Sequence, residues 1–376
     1  CMGSQEFDVI IAGAGVMGLA TAWQLNKRGA KVLVLDKFGI PSGVGSSFGH
    51  TRLIRKAYFE HPDYVPLLQR SYELWHSLES ESNSHLLHKT GLIVSGPESH
   101  PVLSGIRSSA KLHGLKIERY AVEELSRRYP QFQQPQNHIG LFEAEAGCLM
   151  VEKSMEAFKA CASGGRVIFS PFSPIEKWSA TASAVSVTTS RGEFRASKLV
   201  LAAGSWMQHL MGLPKIRLEP RRAPVFWFDA PSQFDSALGM PCFAFAMPEG
   251  FFYGFPNLEG RGVKIAHHKG LQLIDDLDDV SSNIMAGDFT AVSDFLKAQI
   301  PQIKTDFKAY GVCRYTLSAD ENFILGVHPD YSRVCIASPC SGHGFKFAPV
   351  IGEVLADLAL NDRTHLPIDF LSPRRF

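Results

Sequence analysis

The feature that most constrains this chain is the segment at residues 7–36, FDVIIAGAGVMGLATAWQLNKRGAKVLVLD. Its apolar run from Val9 to Ala12 suits a buried parallel strand, and a glycine-rich turn follows. Apolar residues at helical spacing then continue to Gly29, and a second strand ends at Asp36. This order is typical of a βαβ unit, so the chain is predicted to contain an α/β domain with a parallel sheet.

Three glycines, Gly13, Gly15 and Gly18, form the pattern GxGxxG between the first strand and the helix. Glycine permits a tight turn and lets the backbone approach a pyrophosphate, while the helix N-terminus faces the anion. The carboxylate of Asp36 can accept hydrogen bonds from ribose hydroxyls. The predicted dinucleotide-binding residues of this unit are Gly13, Gly15, Val16, Met17, Gly18 and Asp36. The motif alone leaves both NAD and FAD open.

Two later glycine turns favour FAD. The stretch LAAGSW at 201–206 follows a buried strand, and SGHGFKF at 341–347 precedes a terminal helix. The first turn can bring a second strand end to the nucleotide, and the second can direct a helix N-terminus at the pyrimidine edge of a flavin. FAD is therefore the predicted cofactor, with an NAD-dependent dehydrogenase as the alternative.

The organisation of the chain predicts two interleaved domains, because 376 residues exceed the size at which one hydrophobic core stops growing. Helices are predicted at 62–80, 151–163 and 290–299, and aromatic-rich strands after residue 216. We expect an α/β fold in which a Rossmann-like FAD-binding domain is interleaved with an α+β substrate domain built on a mixed or antiparallel sheet. The predicted bounds are 6–88, 148–215 and 311–376 for the FAD-binding domain, and 89–147 and 216–310 for the substrate domain.

Charge and cysteine content restrict the partners. The 38 basic and 37 acidic residues nearly cancel, so the chain lacks the cationic field that gathers nucleic acid or anionic lipid. Seven cysteines are scattered without a CxxC pair, which fits neither a disulfide framework nor a zinc site. No apolar run of about 18 residues suggests a membrane span. We expect a cytoplasmic monomer with a small-molecule partner, and no metal, nucleic acid or membrane.

The stretch GHTRLIRKAY at 49–58 places Arg52 and Arg55 three positions apart beside Lys56. A run of this kind is usually a solvated basic patch. The alternative is a binding site for an anion, because a planar guanidinium can hold a carboxylate through two parallel hydrogen bonds. The stretch taken alone favours the solvated patch.

The order and spacing of six motifs resemble the monomeric sarcosine oxidase family of flavoproteins, which includes N-methyltryptophan oxidase, pipecolate oxidase and the fructosyl amino acid oxidases. The motifs are FDVIIAGAGVMGLATAWQL, SSFGHTRLIRKAY, FYGFP, GVKIAHH, CRYT and SGHGFKF. The resemblance runs from about residue 7 to residue 360. It is specific for the family and poorly specific for the substrate.

The resemblance implies where the cofactor lies. FAD would be attached through a thioether between Cys313 of CRYT and the flavin 8α carbon, with Arg52 beside the flavin. The remaining cofactor-binding positions expected outside the first βαβ unit are Ser46, Ser47, Ala203, Gly204, Trp206, Gly342, His343, Gly344, Phe345 and Lys346.

The resemblance also implies where the substrate is held. Arg55 and Lys346 would bind its carboxylate, and Lys264 of GVKIAHH would promote the reaction of the reduced flavin with O2, since a fixed positive charge stabilises the developing anion. The residues expected to orient the amine and shape the cavity are Tyr253, His268 and Tyr315. With Arg52 and Lys264, these three make up the predicted catalytic residues.

Three positions depart from the family pattern. Phe48 stands where sarcosine oxidases carry a histidine, Ala244 where they carry a methionine over the substrate, and Arg314 where an apolar residue is usual. The smaller Ala244 side chain leaves room for a larger or differently shaped apolar substrate end.

The expected function is FAD-dependent oxidation of the C–N bond of a secondary amino acid, N-alkyl or cyclic, by hydride transfer to the flavin. Water would hydrolyse the imine, and O2 would be reduced to H2O2. The alternatives are the NAD-dependent dehydrogenase and a flavin-bearing module that binds carboxylates without turnover. Acyl and phosphoryl transfer are disfavoured, because the sequence has neither a GxSxG elbow nor a GxxxxGK[ST] loop.

Overall fold

The computed structural model describes residues 6–268, 272–279, 283–338 and 341–376. Two of the seven cysteines, Cys1 and Cys340, lie outside these ranges. The strands, in chain order, are β1 Glu6–Ala12, β2 Val32–Leu35, β3 Thr51–Ile54, β4 Leu87–His88, β5 Leu92–Pro97, β6 Glu118–Tyr120, β7 His138–Glu143, β8 Gly147–Met150, β9 Val167–Ser170, β10 Ile175–Ala180, β11 Val185–Thr189, β12 Gly192–Leu201, β13 Glu219–Phe228, β14 Cys242–Met247, β15 Gly250–Phe255, β16 Val263–His268, β17 Phe307–Leu317, β18 Ile324–Val327 and β19 Val334–Ser338.

The helices are α1 Val16–Lys27, α2 Tyr64–Ser82, α3 Pro101–His113, α4 Val122–Arg128, α5 Val151–Ala162, α6 Met207–Leu210, α7 Thr290–Gln299 and α8 Ala348–Asn361. The three predicted helices are confirmed as α2, α5 and α7. Helix α3 was not predicted, because its several serines and one glycine lower helix propensity, although its buried residues recur at helical spacing. Among the described helices, none is both long and apolar enough to cross a membrane.

The first sheet has a parallel centre in the order β9, β2, β1, β12 and β19. The antiparallel hairpin β10–β11 pairs with the first half of β12, and β18 pairs antiparallel with β19. The first βαβ unit lies in the middle of this sheet, so the carboxyl ends of β1, β2 and β12 meet at one edge. Ligands of such sheets bind at that edge.

Helices and further strands cover both faces of the first sheet, which explains the unbroken apolar run of β1. Val9 and Ile11 belong to one buried cluster with residues of α1, α2, α5 and α8. Ile10 and Ala12 belong to a second cluster on the opposite face. Side chains alternate between the two faces of a strand, and here both faces are dry.

The second sheet has the order β17, β13, β16, β15, β14, β5, β7 and β6. Its neighbours are antiparallel except for the parallel pair β14–β5, which confirms the predicted mixed sheet. The domain bounds remain predictions. One of them, at residue 311, falls inside β17, and this strand pairs with β13 along its length from Phe307 to Leu317.

A small third sheet, β3–β8–β4, joins the two larger ones. Strand β3 carries Arg52, and Arg55 follows directly after it. Strands β14 to β17 of the second sheet carry Ala244, Tyr253 and Cys313. The fold therefore brings the basic stretch between the edge of the parallel sheet and one wall of the mixed sheet.

Candidate active site

The glycine turn after β1 forms a cradle that leaves no room for a side chain at Gly13 or Gly18. Gly13 has a φ of +104°, and a Cβ atom on it would lie 2.5 Å from the Ala202 carbonyl oxygen. A Cβ on Gly18 would lie 1.8 Å from the Gly13 carbonyl oxygen, so helix α1 can begin this close to the strand only with glycine there. The predicted dinucleotide turn is present, and its shape fits the pyrophosphate of FAD.

Asp36 is fixed at the cradle by backbone donors. Its carboxylate accepts hydrogen bonds from the Ala14 amide at 2.6 Å and from the Phe38 amide at 2.7 Å. Burial raises the pKa of Asp36, and these two amides oppose the shift. The Ser47 hydroxyl accepts from the Val16 amide at 3.1 Å, at the start of α1. Amide groups and one acid thus surround the place where a ribose and a pyrophosphate would bind.

A cavity of about 370 Å³ runs from this cradle to the second sheet. Two predicted site residues, Gly18 and Lys264, are not among the residues that line it. The predicted site residues that do line it are Gly13, Gly15, Val16, Met17, Asp36, Ser46, Ser47, Arg52, Arg55, Ala203, Gly204, Trp206, Tyr253, His268, Cys313, Tyr315, Gly342, His343, Gly344, Phe345 and Lys346. Residues from distant parts of the sequence thus meet around one cavity.

Arg52 lies directly beside Cys313. Its Nη2 donates to the Cys313 Sγ at 3.2 Å and to the carbonyls of Phe48 and Ser46 at 2.8 and 2.9 Å. Nη1 donates to its neighbour's carbonyl, that of Thr51, at 2.9 Å. These acceptors fix the guanidinium, so a positive charge stays next to this thiol.

Lys264 is buried beneath the segment that carries Arg52. Its side chain is 2% exposed, and its Nζ donates to the carbonyls of Gly49 at 2.7 Å and Thr51 at 2.9 Å. Burial lowers the pKa of Lys264 to about 7, and the charge of Arg52 adds to the shift. The structure therefore places this amine behind the cavity wall, in contact with the backbone of Gly49 and Thr51.

Arg55 already has an anionic partner within the protein. Its Nη2 donates to both carboxylate oxygens of Glu60 at 2.8 Å, and Nη1 donates to the Ala57 carbonyl at 3.2 Å. Burial acts to raise the pKa of Glu60, but Arg55, together with His343 and Lys346, lowers it to about 2. Both residues line the cavity. The basic stretch is thus a buried ion pair at Arg55 and not a solvated patch.

Lys346 lies near this pair, in the turn that precedes α8. Its Nζ donates to the His343 carbonyl at 2.8 Å. Burial lowers the pKa of Lys346 to about 7, and the charge of Arg55 adds to the shift. Its own carbonyl oxygen accepts from Ser71 at 2.6 Å and from Trp75 at 2.9 Å, both on α2. The turn is therefore anchored to the helical layer while the amine reaches the cavity.

A polar group of three side chains stands on the second sheet. The Tyr315 hydroxyl lies 3.3 Å from the Tyr253 hydroxyl and 3.3 Å from the His268 Nδ1. Gly342 packs over the Tyr315 ring, so a Cβ at that position would come within 2.2 Å of it. The three predicted pocket residues thus come together from β15, β16 and β17, although β13 separates β17 from β16 in the sheet.

The far end of the cavity is apolar. The Arg55 Cζ lies 4.4 Å from the centre of the Phe59 ring. The centres of the Phe59 and Phe251 rings lie 5.6 Å apart. The other side chains of this apolar end are Leu53, Leu92, Val94, Ile106 and Ala244. An apolar wall therefore begins next to the charged groups.

The other two departures from the family pattern lie at the cofactor end. Phe48 packs in a small cluster with Cys313 and Tyr315. Arg314 lies over the Trp206 ring at 5.4 Å and donates to the carbonyl of Leu277 at 2.9 Å. Arg314, which lines the cavity, therefore holds the segment at 272–279 against the cavity wall.

Sequence reasoning missed Glu60, Phe59 and Tyr58. All three lie in the stretch RKAYFE at 55–60, directly after the two arginines. The signal available was the acid five positions after Arg55, which a search for carboxylate partners of the arginines would have found.

The cradle, the two later turns and the cationic cavity are typical of a dinucleotide-dependent oxidoreductase. The sequence model of the "FAD dependent oxidoreductase" family matches residues 8–358, and the chain belongs to this family. The choice between NAD and FAD, which the glycine motif left open, is thereby settled in favour of FAD.

Comparisons with curated relatives and with solved structures support the same family. Monomeric sarcosine oxidase of Arthrobacter sp. (strain TE1826) is 36% identical over 378 residues, covering 99% of this chain and 97% of the relative. N-methyl-L-tryptophan oxidase of Salmonella agona (strain SL483) is 34% identical over 359 residues, covering 94% and 95%. NikD, described as an unusual amino acid oxidase essential for nikkomycin biosynthesis, has the same fold, with a TM-score of 0.86 at 24% identity and 98% of both chains covered. These matches confirm the resemblance found in the sequence and the expectation of a flavoprotein amine oxidase.

The pairing of Arg55 with Glu60 yields a first prediction. In Glu60→Gln, a buried guanidinium loses its counter-charge, so the free energy of unfolding should fall by roughly 3 kcal/mol. A simple carboxylate such as benzoate no longer competes with Glu60, so it should bind about tenfold more tightly. Urea denaturation and calorimetric titration of the FAD-loaded protein measure the two effects.

The matched control is Glu73→Gln, which removes an exposed glutamate that pairs with Arg70. Exposed pairs contribute little, so both quantities should change by less than about 0.5 kcal/mol. Weaker benzoate binding in Glu60→Gln would mean that Glu60 holds Arg55 in place for the ligand and does not compete with it.

Proposed function

We propose that this protein is an FAD-dependent oxidase of secondary amino acids, N-alkyl or cyclic, which releases the imine to hydrolysis and reduces O2 to H2O2. The observation that carries the proposal is the pair of buried cations, Arg55 and Lys346, in the wall of the same cavity as the dinucleotide cradle. FAD, when bound, accepts a hydride from the carbon next to the nitrogen and passes the electrons to O2. The activities in the names of the two relatives support this choice.

Arg55 and Lys346 bind the substrate carboxylate in this proposal. Arg55 offers a planar fork and Lys346 a point charge, and the two together fix both the position and the orientation of a carboxylate. Since Glu60 occupies the Nη2 group of Arg55, the incoming carboxylate exchanges with Glu60 or shares the guanidinium with it. Substrate binding therefore changes the ion pairing of Arg55.

The polar group on the second sheet orients the amine. Tyr253, His268 and Tyr315 offer hydroxyl and imidazole groups that accept or donate a hydrogen bond, and none carries a fixed charge. A dedicated general base is not required when the amine binds in its neutral form, because a free amine already has the electron pair that assists loss of a hydride. The nearby cations disfavour the ammonium form.

The apolar end of the cavity selects the body of the substrate. A charged or hydroxylated side chain would lose its hydration against Leu92, Val94 and Phe251. Ala244, on the neighbouring strand, takes up little of this space. The proposed substrates are therefore N-alkyl or cyclic amino acids with an apolar body larger than that of sarcosine.

Cys313 is the proposed site of covalent attachment. Cys313 lines the cavity, and the Arg52 Nη2 donates a hydrogen bond to its Sγ at 3.2 Å. Lys264 is proposed to assist the reaction with O2 through its charge, acting from behind the wall. We further propose that the protein is a monomer, as the name of one relative indicates for that relative. The scattered cysteines favour a cytoplasmic location.

The central test is anaerobic mixing of the yellow protein with secondary amines. N-methyl-L-leucine should bleach the flavin faster than sarcosine, because its side chain fills the apolar end. N-methyl-L-leucinamide, which has no carboxylate, should react at least about a hundredfold more slowly at equal concentration, since a buried charged contact contributes a few kcal/mol. Absorbance after mixing measures all three. Persistent yellow colour with every amine would support the non-catalytic module instead.

Covalent attachment has its own test. After acid precipitation, wild-type protein should retain flavin in the pellet, while Cys313→Ser should release it into the supernatant. Cys335→Ser is the matched control, because Cys335 is equally buried and does not line the cavity. Flavin that stays with precipitated Cys313→Ser protein would refute the linkage.

The lowered pKa of Lys346 predicts how binding depends on pH. Below about 7 the amine is already charged, so benzoate binds without taking up a proton. Above about 7 binding must protonate Lys346, and affinity should fall by up to tenfold for each unit that the pH rises. Lys346→Met should bind weakly and lose this dependence, while Lys56→Met, a change at a lysine outside the cavity, should keep it. Equal wild-type affinity on both sides of neutrality would contradict the assignment.

A further inference from the structure

Tyr58 touches both cations of the carboxylate site from behind the cavity wall. It is fully buried and does not line the cavity. The Arg55 Cζ lies 4.1 Å from the centre of its ring, and the Lys346 Nζ lies 3.4 Å from its hydroxyl oxygen. One rigid side chain thus contacts two groups that come from segments almost 300 positions apart in the sequence.

His343 fixes the direction of the hydrogen bond at Tyr58. Its Nε2 lies 3.1 Å from the Glu321 carbonyl, which only accepts, so this nitrogen carries the proton. In the neutral ring Nδ1 is then an acceptor, and the Tyr58 hydroxyl donates to it at 2.5 Å. Burial lowers the pKa of His343 to about 4, so the ring is neutral at pH 7. The Tyr58 oxygen keeps its lone pairs for Lys346.

Lys346 is held by two acceptors of this group. Its Nζ donates to the His343 carbonyl at 2.8 Å and to the Tyr58 hydroxyl at 3.4 Å. An ammonium has three donors, so a third remains for a ligand in the cavity that Lys346 lines. Because both acceptors are oxygen atoms, they stabilise the charged form of the amine. They also fix the orientation of the Lys346 ammonium.

We propose that Tyr58 and His343 are positioning residues that hold Lys346 and Arg55 in the arrangement required by the substrate carboxylate. The Tyr58 ring supports the guanidinium, its hydroxyl accepts from the ammonium, and His343 fixes the hydroxyl. The inference rests on the proposed function, since it concerns the same carboxylate. Neither residue contacts the bond that reacts, so their effect falls on binding.

Charge around Lys346 comes from several elements, and each contributes to its titration. The charged or titratable groups that face it are Arg55, Glu60, Tyr58 and His343, with Arg52 at greater distance. Burial, Arg55 and Arg52 disfavour the ammonium, while Glu60 favours it. The two oxygen acceptors stabilise the ammonium by accepting its hydrogen bonds. Loss of the Tyr58 hydroxyl therefore shifts the balance toward the neutral amine.

The test is Tyr58→Phe in the FAD-loaded protein, which keeps the ring and removes the hydroxyl. Near neutral pH the Kd for benzoate and the KM for an N-methyl amino acid should each rise about tenfold, the cost of one hydrogen bond to a charged group. The rate of anaerobic flavin reduction at saturating substrate should change less than about twofold, since the reacting atoms are untouched. The pH midpoint of benzoate binding should move below about 7.

Tyr64→Phe is the matched control. Tyr64 is also fully buried, lies against the Tyr58 ring at 5.1 Å, and donates its hydroxyl to Asn322 at 3.1 Å, away from the cations. It should bind benzoate like the wild type. An equal loss in Tyr64→Phe would show a general packing effect and overturn the inference, as would an unchanged Kd and midpoint in Tyr58→Phe.

His343→Leu gives an independent measurement if Tyr58→Phe does not fold. It removes the acceptor of the Tyr58 hydroxyl, so the Kd for benzoate and the pH midpoint should shift in the same directions. Unchanged values in His343→Leu would overturn the role of His343. If the wild-type protein binds no carboxylate, the proposed function itself is wrong. If the wild type binds benzoate and the variants bind it with the same Kd, only this inference is wrong.

Discussion

Burial of positive charge between two sheets is the constraint on which the rest of this structure depends. Arg55, Lys264 and Lys346 are each less than 10% exposed, and an unpaired charge in such a place is costly. The protein meets the cost in three ways: a carboxylate partner for Arg55, backbone carbonyls for Lys264, and a lowered pKa for both lysines. The chain around 49–60 is therefore shaped by the acceptors that these groups need.

The architecture supplies those acceptors from both sides. The parallel sheet ends in turns whose backbone is exposed to the cavity, and the mixed sheet presents side chains from adjacent strands. Helix α2 fixes one of these turns, because Ser71 and Trp75 donate to the Lys346 carbonyl. Through this contact, packing of the helical layer determines where an amine lies in the cavity. A change in the packing of α2 is therefore expected to alter the position of the Lys346 amine.

The parts of this protein that the sequence predicted are those set by local geometry. The close approach of α1 to β1 leaves glycine as the only residue that fits at Gly13 and Gly18. The GxGxxG pattern alone therefore predicts the cradle. The partner of Arg55, Glu60, is only five positions away, but its pairing with Arg55 is not set by a motif. It depends on how 55–60 turns back on itself, and Tyr58 and His343 meet only in the folded chain. The burial of Lys264 behind the wall likewise follows from the packing of two sheets, which no motif encodes.

The balance of charge in the cavity bears on the chemistry proposed for it. With Lys346 protonated, Arg55, Lys346 and Glu60 together carry one positive charge in a poorly solvated place. A substrate with an ionised carboxylate and a neutral amine cancels that charge, whereas a zwitterion leaves it uncompensated. Because an uncompensated charge away from water is unfavourable, the site favours the neutral amine. The arrangement proposed to bind the carboxylate would therefore also select the protonation state in which the nitrogen lone pair is available for oxidation.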